Sequence, residues 1–129
     1  MDLIQWSDRY SVNSVLIDSQ HKKLVSLINE LHNAMASGKG KDALQKILDD
    51  LVKYTVEHFT TEETMMKKAK YAGYLEHKLE HDKLTEKAVS LQKSFREGKI
   101  PLTMDVMNFL KNWLTNHIEG TDKKYRDKI

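Results

Sequence analysis

Leu44, Leu48, Leu51, Thr55, His58, Glu62 and Met65 recur at alternating spacings of four and three residues. That rhythm is the inward stripe of a helix packed lengthwise against other helices, and it is incompatible with the two-residue period of a strand. The last third of the stripe changes from leucine to histidine and glutamate. An unpaired carboxylate on an inward face costs several kcal/mol to bury. The chain must therefore supply something that compensates Glu62.

Three further segments repeat the pattern. The first helix is expected over about 18–37, starting near Asp18-Ser19, either of which can cap free N–H groups. It carries His21, Leu24, Leu27, Ile28, Leu31, Ala34 and Met35 on one face, and Gly38 serves as its left-handed stop. The stripe already described fills about 41–66. A third helix, about 72–97, presents Tyr74, His77, His81, Leu84, Ala88, Leu91 and Phe95, closed by Gly98 and Pro101. The fourth, about 103–119, begins at the N-cap Thr103 and shows Val106, Leu110, Trp113 and His117 before Gly120 breaks it. Residues 1–17 lack sustained periodicity and read as an arm packed along the domain. Short connections favour antiparallel neighbours. The expected fold is all-α: one domain over 1–129, an up-down-up-down antiparallel four-helix bundle with an N-terminal extended arm.

Alternating directions bring the polar ends of the stripes together. His21 starts the first helix, His58 and Glu62 end the second, His77 and His81 start the third, and His117 ends the fourth, with Asp122 just beyond. His32 is a built-in control. It lies eleven residues after His21, roughly 16 Å along the axis, and is expected at the core edge, out of reach of that centre.

Without cysteine there is no disulfide and no thiolate ligand. A metal would be held by imidazole nitrogen and carboxylate oxygen. Five histidines with Glu62 and Asp122 exceed what one zinc takes. Such a nitrogen-rich set suits iron better than manganese, and bridging carboxylates imply two ions. If both are six-coordinate, five imidazoles, two bridging carboxylates and a bridging oxide or hydroxide fill every position but one.

The formal charge of +2 is spread over interleaved Lys, Arg, Asp and Glu, which gives no basic stripe for nucleic acid. No apolar run approaches the roughly 18 residues of a membrane span. The first residues lack a signal-peptide pattern, so a cytoplasmic protein is expected.

The quoted residues resemble the hemerythrin family, specifically its single-domain bacteriohemerythrins. The resemblance rests on Trp6-Ser7-Asp8, Asp18-Ser19-Gln20-His21, His58-Phe59-Thr60-Thr61-Glu62-Glu63, His77-Lys78-Leu79-Glu80-His81, Trp113-Leu114-Thr115-Asn116-His117-Ile118 and Asp122-Lys123-Lys124-Tyr125. It implies two iron ions, Fe2+ or Fe3+, with a bridging oxide or hydroxide, and reversible O2 binding. It also implies that His77, His81 and His117 hold one iron, that His21 and His58 hold the other with the open position, and that Glu62 and Asp122 bridge. Two departures stand out: Ala72 follows Tyr71 where the family often has proline, and Tyr54 stands one turn before His58 where animal hemerythrins have phenylalanine.

Leu24, Trp113, Leu114 and Ile118, one turn from candidate ligands, are expected to make a dry pocket that Tyr54 renders more polar. Oxygen-activating di-iron bundles are richer in carboxylates. A non-enzymatic O2 carrier, store or delivery protein is therefore expected. The alternatives are a sensor of O2, NO or iron, or a small di-iron oxidase or peroxidase. Expected partners are O2, with NO and azide-like anions as related ligands, and an oxygen-consuming acceptor enzyme. A monomer is the expected state.

Overall fold

A computed structural model describes residues 3–101 and 103–128. Four helices carry the fold: α1 (Val15–Ala36), α2 (Lys41–Lys68), α3 (Tyr74–Arg96) and α4 (Met104–Asn116). No strand occurs among the described residues, and the architecture is the expected all-α four-helix bundle. Ala36 and Arg96 end their helices in the same way. Gly38 and Gly98 adopt φ of 75° and 73°. Lys39 N–H then returns to Ala34 O and Lys99 N–H to Ser94 O, which satisfies carbonyls the helices leave open.

The main core packs Leu24, Ile28, Leu31, Leu48, Leu51, Met107, Leu110 and Leu114 between the helices. A smaller cluster, Val12, Ile17, Met66 and Tyr125, closes the other end. The second stripe ends on Met66, fully buried, rather than Met65, which is half-buried. A straight helix drifts about 20° per heptad from a strict 3.5-residue repeat. Over three heptads that drift turns Met65 aside and brings Met66 inward.

Two boundaries differ from the sequence reading for local physical reasons. The first helix starts at Val15, with Ser14 as its N-cap accepting from Ile17 N–H at 3.3 Å. Asp18 is not the cap. Its carboxylate accepts from Ser11 Oγ at 2.6 Å and Val12 N–H at 2.9 Å, and so ties down the arm. The fourth helix does not break at Gly120. It continues as a π-helical turn, His117–Thr121, and a 3-10 turn, Asp122–Tyr125.

The arm carries a short 3-10 turn, Asp8–Tyr10. Asn29 clamps its start: Ile4 N–H donates to Asn29 Oδ1 and Asn29 Nδ2 donates to Ile4 O, both at 2.8 Å. Ile4 is buried, so Asn29→Ala strands a peptide donor and acceptor away from water. A loss of about 2 kcal/mol in urea unfolding is expected. Faster hydrogen exchange at the Ile4 amide should accompany it, and unchanged exchange would refute the clamp.

Candidate metal centre

Seven polar side chains meet at one end of the bundle. His21 comes from α1, His58 and Glu62 from α2, His77 and His81 from α3, and His117 and Asp122 from the turns after α4. Each is at most 3% exposed. Their donor atoms form two groups, each with every atom within 4.8 Å of the others: His77, His81, His117, Glu62 and Asp122, and His21, His58, Glu62 and Asp122. Both carboxylates belong to both groups. His32 belongs to neither.

Asp122 spans the two groups with its two oxygens. Its Oδ1 lies 2.8 Å from His77 Nε2 and 2.9 Å from His117 Nε2, while its Oδ2 lies 3.0 Å from His21 Nε2. Glu62 Oε1 sits 2.6 Å from His58 Nε2, 3.7 Å from His81 Nε2 and 3.9 Å from His21 Nε2. These contacts are short, yet Nε2 of all five histidines, Glu62 Oε1 and both Asp122 oxygens make no hydrogen bond of acceptable geometry. Buried polar atoms are rarely left so. Metal–donor bonds of about 2.1 Å at right angles set neighbouring donors about 3 Å apart. The orphaned atoms and their separations fit a pair of metal ions.

The π-helical turn is what delivers Asp122. Its wider winding spends an extra residue between His117 and Asp122, which turns both inward. Three residues on, buried Tyr125 donates its hydroxyl to Glu62 Oε2 at 2.5 Å and stacks on His77. Phe59 stacks face to face on His81 at 3.9 Å. Both rings fix the orientation of donor residues. Sequence reasoning gave neither a role, although Tyr125 falls one helical turn after Asp122.

Gln20, Glu63 and Glu80 were also missed as site residues. They accept from the outward nitrogens of His58, His81 and His117 at 2.7, 2.8 and 3.0 Å. Nδ1 thereby donates outward and Nε2 faces inward, where its lone pair serves a metal once any proton on it has left.

Charge shapes the metal-free site. Burial pushes the His21 and His117 imidazolium forms down, but Asp122 and Glu62 outweigh it and raise them to about 9 and about 10. Burial likewise raises Glu62, as does the Asp122 charge, yet His58 and His21 bring it to about 2. Asp122 is held well below its ordinary value against burial, chiefly by His117. Burial pushes His81 down to about 3. The His117 hydrogen bond holds Glu80 at about 2. Burial, then the charges of Asp122 and Glu62, drive the Tyr125 hydroxyl far up, so it donates at every ordinary pH. Tyr125→Phe leaves a buried carboxylate oxygen without its donor. The metal-free chain should lose about 2 kcal/mol, read by urea unfolding at pH 7; no change would mean the bond contributes nothing.

Leu24, Trp113, Leu114 and Ile118 are buried in the main core, and Trp113 Nε1–H donates to Leu84 O at 3.1 Å. Tyr54 is half-buried and packs against the main core. It lines a surface groove of about 290 Å³ with Lys23, Leu27, Asp50, Lys53 and Glu57, and Lys23 Nζ lies 4.7 Å over its ring. That lining contains none of the seven donor residues.

A four-helix bundle with buried histidines and shared carboxylates at one end defines a cation-binding helical protein. The hemerythrin HHE cation binding domain matches residues 13–129. Bacteriohemerythrin of Methylococcus capsulatus is 40% identical over 97% of this chain and 95% of its own length. The hemerythrin-like protein of Naegleria gruberi is 35% identical over 94% and 89%. A wild-type hemerythrin crystal structure superposes with a TM-score of 0.92 at 38% identity, covering 98% of this chain and 97% of that one. The chain belongs to the hemerythrin family. No helix among the described residues is long and apolar enough to cross a membrane.

Proposed function

We propose that the protein binds O2 reversibly at a non-haem di-iron centre, for carriage, storage or delivery, without catalysing a reaction. His77, His81 and His117 would hold one iron, His21 and His58 the other, and Glu62 and Asp122 both. The observation that carries this reading is the sharing of two buried carboxylates by two separate histidine groups. The irons, when bound, supply the reducing electrons and the open coordination position that O2 requires.

The chain's own side chains do the rest. Tyr125 holds Glu62 in place through one oxygen and leaves the other free for the centre. Gln20, Glu63 and Glu80 fix the ring orientations of His58, His81 and His117. Leu24, Leu114 and Ile118, each at most 2% exposed, would exclude water, which favours release of O2 unchanged over its loss in reduced form. The same apolar wall would admit NO and hinder larger polar substrates, and that argues against an oxidase.

The test is reconstitution of the reduced protein with iron, a metal count, and cycling between O2 and vacuum while the absorption spectrum is recorded. Two irons per chain with a reversible oxygen-dependent band are expected. Immediate irreversible oxidation with release of peroxide would overturn the proposal in favour of an oxidase.

A further inference from the structure

The five histidines point one nitrogen inward, but for four of them what stands behind the other nitrogen differs between the two halves of the site. His81 and His117 each donate from Nδ1 to a carboxylate, Glu63 Oε2 at 2.8 Å and Glu80 Oε1 at 3.0 Å. His58 donates to the neutral amide oxygen of Gln20 at 2.7 Å. His21 Nδ1 is buried without any partner. A carboxylate behind an imidazole N–H raises the basicity of the opposite nitrogen and fixes the ring. A neutral amide fixes the ring with less charge donation.

Both carboxylates are themselves anchored. Glu80 Oε2 accepts from Thr121 Oγ1 at 2.6 Å, which links α3 to the π-helical turn that carries His117. Glu63 has Lys78 Nζ at 3.7 Å, but Lys78 lies nearer Asp82, at 3.1 Å. Lys78 is thus shared between Glu63 and Asp82 and offsets only part of the charge behind His81.

Resting on the two-metal reading above, we infer that Glu63 and Glu80 are positioning residues that separate the two metal positions in affinity. The position of His77, His81 and His117 fills first and empties last. The position of His21 and His58 is the weakly held one. Three nitrogens against two already favour the first position, and the carboxylate-backed rings widen the gap. The centre thus keeps one firmly anchored ion beside one whose weaker donors leave it open to exchange.

The test is anaerobic calorimetric titration of the metal-free chain with Fe2+, paired with the rate of iron loss to a chelator. The wild-type chain should take two irons in two resolved steps and lose them in two phases. The double variant Glu63→Gln with Glu80→Gln should weaken the tighter step about 10–100-fold and leave the weaker one nearly in place. Gln20→Glu, which removes no contact, should strengthen the weaker step about tenfold. That gain is a change no loss of folding produces. Two unshifted steps in both variants, or an equal shift of both steps, would overturn the inference and leave the di-iron reading standing. A wild-type chain that binds only one iron overturns both.

Discussion

Glu62→Ala should strip the protein of iron, whereas His32→Ala should leave its metal content unchanged. Glu62 Oε1 lies within 3.9 Å of histidine nitrogens from both groups, so its removal takes a donor from both positions at once. The variant also leaves the Tyr125 hydroxyl without its acceptor. Breaking such a buried charged set costs about 3 kcal/mol in the metal-free chain, which urea unfolding reads separately from metal content. Glu62→Gln keeps an acceptor for Tyr125 and removes the charge. It should restore most of the stability and little of the iron. His32 is half-buried and belongs to neither donor group, so its imidazole tests whether histidine number or histidine placement matters. Equal iron loss in Glu62→Ala and His32→Ala would sink the ligand assignment.

The helices and their inward stripes were legible because burial imposes a period. His58 and Glu62 stood out in the sequence as polar residues on leucine positions, and the antiparallel topology then implied that His21, His77, His81 and His117 meet them. The structure brings those residues and Asp122 together. Features without periodicity were not legible. Gly120 read as a break because glycine is the commonest left-handed helix stop, yet a π-helical turn passes through it and Thr121 anchors that turn to Glu80. Glu63 and Glu80 sit one position beside the stripe, where charged residues on a helix are usually solvated. Only the folded geometry shows their carboxylates behind imidazoles. The Asp18 carboxylate was misread for a related reason: its bonds to Ser11 and Val12 depend on how the arm folds back, which no local signal encodes.

Raising the pH from 6.5 to 8.5 should loosen the metal-free protein and tighten its hold on iron. In the metal-free chain His21 and His117 titrate at about 9 and about 10, above the ordinary value near 6.5. Their stabilisation is fully present below about pH 6.5 and is lost as pH rises through those raised values. His81 runs the other way. Held at about 3 by burial, it stabilises the fold above about 6.5 and loses that contribution as pH falls toward 3. Glu62, at about 2, and Asp122, held lower than usual, add a further loss in acid below about pH 4. Metal-free stability should therefore peak near pH 6.5. Iron must displace the protons on His21 and His117, so its apparent affinity climbs over the same range, by up to about tenfold per pH unit for each proton released. Urea unfolding of the metal-free chain and anaerobic Fe2+ competition against a chelator, run at matched pH values, should give slopes of opposite sign. Slopes of the same sign would mean that protons and metal do not compete for one set of nitrogens.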